Sequence, residues 1–147
     1  MMSTEEIGIT KTTLMDSPVE ELSTGSTFAG RYQIIEELCK GGMGKVYKAL
    51  DQKINEKIAL KLIKPEIASD KKIIERFSNE LKIARKIGHR NVGRMFYLSE
   101  DERTHYITME YVSGEDLKSM IRMSGQLGIG TTINIARQIC EGLAGLQ

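Results

Sequence analysis

Three features of the chain are of a kind that handles phosphate. The first is Leu38-Cys39-Lys40-Gly41-Gly42-Met43-Gly44-Lys45-Val46, with three glycines in the four residues 41–44. Glycine lets a backbone come close to a ligand and leaves N–H groups free to face phosphate oxygens. The second is Lys61, which interrupts the apolar run Ile58-Ala59-Leu60-Lys61-Leu62-Ile63. The third is Glu80, inside an amphipathic stretch from Asp70 to Ile87. At ~100° per residue, Ile73, Ile74, Phe77, Leu81, Ile83, Ala84 and Ile87 form one apolar arc, and Glu80 falls within it. A carboxylate on a core-facing stripe needs a cation, because breaking a buried ion pair costs about 3–5 kcal/mol. Lys61 is the available partner, since on a strand of period 2 it shares a face with Ala59 and Ile63. Together the three can hold a triphosphate: the loop covers it, Lys61 contacts it and Glu80 holds Lys61 in place. Each also has a plainer reading. The loop can be only a turn, the lysine can snorkel to the sheet edge, and the glutamate can sit at the rim of its stripe.

The elements that must position these residues follow from local pattern. Tyr32–Leu38, Val46–Leu50 and Ile58–Ile63 read as strands of an antiparallel meander, with polar Asp51–Asn55 as a turn and Pro65 closing the third strand. Ser69 or Asp70 caps a helix that runs to Ile87, and Gly88 stops it. Strands at Met95–Ser99 and His105–Glu110 flank the turn Glu100–Arg103, and helices follow near Asp116–Met123 and Thr131–Leu146. The expected class is α+β: five antiparallel strands with one helix inserted, then helices only. A strand, not a helix, follows the glycines, and no G-K-[ST] ending is present, which argues against P-loop and dinucleotide folds.

Composition narrows the class further. The 147 residues contain no apolar run long enough to span a membrane and no secretory signal at Met1–Glu6. Cys39 and Cys140 have no metal-ligand spacing, which points to a reducing, cytoplasmic compartment. Residues 1–27 carry five acids and one lysine, a net of −4, and ten Ser or Thr; they read as a disordered leader. Residues 28–147 carry 20 basic and 15 acidic residues, a net of +5, which suits a phosphate-bearing ligand.

With these motifs in order, the chain resembles the eukaryotic-type (Hanks-type) bacterial serine/threonine protein kinases over about residues 28–147. Gly41-Gly42-Met43-Gly44-Lys45-Val46-Tyr47-Lys48 is similar to the family's glycine-rich loop, and Ile58-Ala59-Leu60-Lys61 resembles V-A-I-K. Phe77-Ser78-Asn79-Glu80 looks like the segment of the helix glutamate, His89-Arg90-Asn91-Val92 like the stretch after that helix, and Thr108–Val112 like the last strand and hinge. The resemblance implies a kinase N-lobe and hinge at 28–112 and the start of a helical C-lobe at 113–147. It implies ATP as the nucleotide, with Mg2+ in the full enzyme, a protein bearing Ser or Thr as partner, and no nucleic acid. Lys61 and Glu80 would be catalytic. Leu38, Cys39, Lys40, Gly41, Gly42, Met43, Gly44 and Lys45 would line the loop over ATP. Val46 and Ala59 would roof the adenine, with Met109 beside it. The Glu110 and Val112 backbones would bond its edge, and Asp116 would approach the ribose. For Val46, Ala59 and Met109 plain sheet packing is the ordinary reading.

The chain departs from the pattern. Cys39 stands where the first loop glycine is usual, Arg90 replaces a proline, and Gln147 stands where a histidine is common. The 147 residues contain no H-R-D loop and no D-F-G metal site, so this chain alone is expected to transfer no phosphate. The alternative is a catalytically inactive module, a pseudokinase or fragment, that binds nucleotide or partners.

Overall fold

The computed structural model describes residues 21–146; most of the expected leader and Gln147 lie outside them. The core element is an antiparallel sheet of six strands: β1 (Thr27–Phe28), β2 (Tyr32–Lys40), β3 (Gly44–Asp51), β4 (Glu56–Ile63), β5 (Met95–Asp101) and β6 (Thr104–Glu110). Their spatial order is β1-β2-β3-β4-β6-β5, so β4 is interior, and of its residues 58–63 only Lys61 is not buried. That environment explains why the strand reads as a near-continuous apolar run. The expectation was five strands. The sixth is the two-residue β1, whose Thr27 pairs with Gln33 and Phe28 with Tyr32.

This first strand also corrects the start of order. Residues 21–27, assigned to the leader from composition, are docked on the sheet. Gly25 N–H donates to Ile34 O at 2.8 Å, Leu22 N–H to the Tyr47 hydroxyl at 3.3 Å, and Leu22 packs on the core. One apolar side chain, a few hydrogen bonds and an ion pair from Glu21 to Lys45 tie this short segment down.

Register divides the sheet into two faces, because residues directly opposite in an antiparallel pair share a face. Tyr47 lies opposite Leu60, and Leu60 opposite Thr108; Ala49 lies opposite Ile58, and Leu62 opposite Tyr106. With Phe28, Tyr32 and Ile34, most of these side chains form the sealed core. Phe28 and Tyr32 meet Tyr106 edge-on, at centroid separations of 5.1 and 5.9 Å. The other face carries Val46 opposite Lys61, Lys61 opposite Ile107, and Ala59 opposite Met109.

At the β3–β4 turn, Arg31 forks onto the buried carboxylate of Asp51 at 2.8 and 2.7 Å. Asp51 also accepts from Lys53 N–H at 3.1 Å. The Arg31 guanidinium holds the Asp51 carboxyl below its usual range, and Asp51 holds the guanidinium above its own.

Among the described residues four helices accompany the sheet: α1 (Pro65–Ala68), α2 (Lys71–Ala84), α3 (Leu117–Ser124) and α4 (Ile129–Gly145). Short α1 starts at the proline that ends β4, a position proline suits because it lacks an N–H to satisfy. Asp70 caps α2, accepting from Lys72 N–H at 2.9 Å and Ile73 N–H at 3.4 Å. The helical bonds of α2 tighten past Ala84: Lys86 N–H donates to Ile83 O and Ile87 N–H to Ala84 O, so the end near Ile87 is a 3₁₀-like turn. Helix α2 rests against edge strand β5, where Arg85 stacks 5.0 Å from the Tyr97 ring.

Helix α4 is fastened to the loop between α2 and β5. Asn91 Nδ2 donates to Gln138 O at 2.9 Å, and Gly142 lets the loop in, since a Cβ there would lie 3.3 Å from Asn91 O. Arg90, in place of the usual proline, approaches Glu141 at 3.8 Å. Ile129, Ile133, Ile139 and Leu143 of α4 are exposed. Among the described residues no helix is long and apolar enough to cross a membrane.

Candidate functional site

The glycine-rich segment is the hairpin between β2 and β3. Gly41 N–H donates to Gly44 O at 2.9 Å, and Met43 O accepts from Lys64 N–H at 2.9 Å, which ties the hairpin tip to the end of β4. Gly44 is required by close approach: a Cβ there would lie 1.7 Å from Leu62 O. Gly41 and Gly42 are exposed, with free space where a side chain would stand. Between Glu37 and Cys39 the register slips, so Leu38 is the extra residue of a bulge. Bulges re-aim side chains where a sheet meets a site. Cys39 pairs with Val46 and is exposed.

Lys45 does not belong on this face. It lies opposite Leu62, with its side chain 4% exposed, and its ammonium binds Glu21 at 2.7 Å and Glu37 at 3.7 Å. The bond to Glu21 raises the lysine above its ordinary range and lowers the glutamate. Its side chain therefore fastens residues 21–27 to the sheet and is not one of the groups beneath the loop. Only its backbone stays near the hairpin.

Beneath the open face lies a cavity of about 540 Å³. Its sheet wall is Lys61, Ile63, Ile107, Met109, Leu98 and Met95; its helix wall is Phe77, Glu80, Leu81, Ile83, Ala84 and Ile87; Met43 and Leu146 also line it. Lys61 and Glu80 thus border one space, as their types suggested, but they do not bond. Glu80 Oε1 accepts from Arg76 Nε at 2.8 Å, one turn back on its own helix, with its side chain 57% exposed. The expected cation on the neighbouring strand is replaced by a cation on the same helix.

The reason is the stance of α2. Only Leu81 of its apolar arc is buried, because Phe77, Leu81, Ile83, Ala84 and Ile87 of that arc border the cavity and not a packed wall. At the cavity rim Glu80 keeps its water, so it incurs no desolvation cost that a Lys61 pair would have to offset.

Met109 stands in register with Ala59, and Ala59 with Lys48. Beyond Met109, Glu110 is held by Arg94: Glu110 N–H donates to Arg94 O at 2.7 Å, and its carboxylate accepts from Arg94 N–H at 3.0 Å. Val112 is exposed. Asp116 caps α3, accepting from Ser119 N–H at 2.7 Å and Ser119 Oγ at 3.0 Å, which lowers its pKa. Asp116 is not part of the cavity wall. The sequence reading missed Met95, Leu98 and Ile107, whose presence depends on the β4–β6–β5 register. The signal for Ile107 is its alternation with Met109, but only the pairing shows which face that is. Among the described residues no three His, Cys, Asp or Glu gather as a metal site.

Comparison with known proteins agrees with this geometry. Residues 32–146 match the protein kinase domain family. The chain is 36% identical to the serine/threonine-protein kinase PrkC of Bacillus subtilis over 82% of its own length and 18% of PrkC. It is 32% identical to the serine/threonine-protein kinase PknA of Mycobacterium tuberculosis over 81% of its length and 29% of PknA. The crystal structure of the PknI kinase domain of M. tuberculosis superposes with a TM-score of 0.75 at 26% identity, over 86% of this chain and 51% of that one. The chain therefore spans less than a third of these curated relatives and about half of a solved kinase domain. A glycine hairpin pinned to β4, a lysine beneath it, a helix glutamate across one cavity and a family match over 32–146 lead to one assignment: this chain belongs to the protein kinase domain family.

Proposed function

We propose that this chain is the ATP-binding part of a serine/threonine protein kinase, which moves the ATP γ-phosphoryl to a Ser or Thr hydroxyl of a protein. One observation carries the reading: register puts Val46, Ala59, Lys61 and Met109 on one open face behind the glycine hairpin. The residues fit a nucleotide. Val46 and Ala59 roof the adenine, Met109 stands beside it, and the Glu110 and Val112 backbones bond its edge. The Leu38–Lys45 hairpin covers the phosphates with its backbone N–H groups, Lys61 contacts them, and Asp116 reaches towards the ribose. Glu80 holds Lys61 once α2 swings inward and the Arg76 bond is exchanged. Mg2+ bound with ATP neutralises phosphate charge in this family's chemistry; no residue of this chain is assigned to it. Use of ATP supports a cytoplasmic location.

A second reading, an inactive nucleotide-binding or interaction module, is favoured by the separation of Lys61 from Glu80 and by Cys39 in the loop. Titration of the chain with ATP, followed by thermal shift, tests the shared first step. Lys61→Met should weaken ATP binding at least about 10-fold, the loss of one charge-assisted phosphate contact. In a kinase that joins this chain to a catalytic loop and metal site, the same change should abolish transfer. Unchanged turnover there would remove Lys61 from its assigned role.

A further inference from the structure

The segment after β6 has little to hold it. The β4–β6 ladder ends at Ile58–Glu110, and from Glu110 to Lys118 every residue is exposed except Tyr111. Tyr111 lies directly between the two residues whose backbones are assigned to the adenine edge. Its ring carries the Lys48 ammonium, 4.7 Å from the centroid. Lys48 is on β3, on the open face, in register with Ala59, and its side chain is 17% exposed. Its ammonium is also bonded to Glu36 on β2 at 3.2 Å. Glu36, and after it Tyr111, raise the Lys48 pKa, so the charge is secure. A cation between a carboxylate and an aromatic face gains from both at once.

We propose that Lys48 is a positioning residue for adenine recognition: tethered to Glu36, it grips the Tyr111 ring and so fixes the backbone groups of Glu110 and Val112. The proposal rests on the nucleotide reading above. It differs from the obvious role for a lysine on this face, a contact to phosphate. The Lys48 ammonium is already engaged by two side chains, whereas among the described residues Lys61 makes no salt bridge. Two neighbouring residues of the short segment are then held separately, Glu110 by Arg94 and Tyr111 by Lys48.

The test compares adenosine with ATP as ligands of the 147-residue chain, by titration calorimetry, with thermal unfolding to confirm that each variant folds. Lys48→Met should weaken both ligands by the same factor, about 3- to 10-fold. Lys48→Arg and Tyr111→Phe, which keep a cation and a ring, should bind nearly as the parent does. Tyr111→Leu should reproduce Lys48→Met, and the double variant should lose no more than either single one, because both remove one contact. Loss confined to ATP would make Lys48 a phosphate ligand and overturn the proposal. Equal affinity of Lys48→Met and the parent would overturn it too, with the nucleotide reading intact. A parent chain that binds neither ligand would overturn both.

Discussion

The two faces of the sheet are built from the same strands and have opposite characters. One face, with Tyr47, Leu60 and Leu62 among its members, is sealed by aromatic and aliphatic packing and by the docked residues 21–28. The other, with Lys61, Ile107 and Met109, looks onto a cavity of about 540 Å³ that α2 borders without filling. Alternation along β3 and β4 lets each strand serve both: even numbers 46, 48 and odd numbers 59, 61 face the open side, their neighbours the core. On the proposed nucleotide reading, stability and ligand binding fall on different side chains of one strand, one residue apart. The comparison predicts that substitutions on the sealed face act on folding, while those on the open face act on binding.

Leu60→Ala is the strongest way to break that division. Leu60 is fully buried, and its neighbours are held on two strands, so the space left cannot collapse well. The expected loss is about 3–4 kcal/mol of folding stability in urea unfolding. Its neighbour Lys61→Met should change stability by less than about 1 kcal/mol, a surface-like cost. Similar losses at both positions would mean that the faces are not independent.

Asp51→Asn tests the sealed side from its end. Arg31 would keep its charge and lose its paired carboxylate, at a cost of about 3 kcal/mol, near the lower end for a buried pair because Arg31 still reaches water. The sign of the pH dependence follows from the Asp51 pKa, which the Arg31 guanidinium holds below the ordinary aspartate value of 3.8. Its contribution is complete above that value and is lost as pH falls through the lower folded pKa. The parent should therefore destabilise steeply below about pH 4, and Asp51→Asn less steeply. Parallel acid unfolding curves would remove Asp51 from the account.

What is legible in the sequence differs between the two faces for the same reason. Strand and helix positions follow from local period and caps, so β2 to β6 and the Asp70 cap are readable. Lys61 and Glu80 can be picked out because a charge in an apolar pattern is itself a signal. Their bonding is not readable, since it depends on how far α2 stands from β4, a matter of long-range packing. Lys45 illustrates a related limit. Inside a loop motif it reads as a ligand-side residue, and only register with Leu62 shows that it points to the sealed side. Docking of residues 21–27 leaves almost no trace, because Leu22 is a lone apolar residue among Ser, Thr and Gly.

On the open face a truncation should cost less. Leu98→Ala removes a side chain that borders the cavity and is half-buried. Water or neighbouring side chains already have access, so the expected loss is about 1 kcal/mol, well under the Leu60→Ala value. Thermal unfolding of the two variants side by side measures the ratio. A Leu98→Ala loss equal to that of Leu60→Ala would mean that the helix wall is packed in solution and the cavity closed.

Arg76→Ala should have the smallest effect and bears on the charge that separates the faces. The Arg76–Glu80 bond joins two exposed side chains one turn apart on α2, an arrangement worth about 0.3–0.5 kcal/mol. Its removal should lower stability by no more than that, and salt should erase the difference. Glu80 would then have no partner on its own helix, and Lys61 is the cation across the cavity. A loss above about 1.5 kcal/mol would show that the bond holds α2 against the sheet. Glu80 would then be a structural strut on the open face, and its exchange to Lys61 would be too costly for the role proposed here.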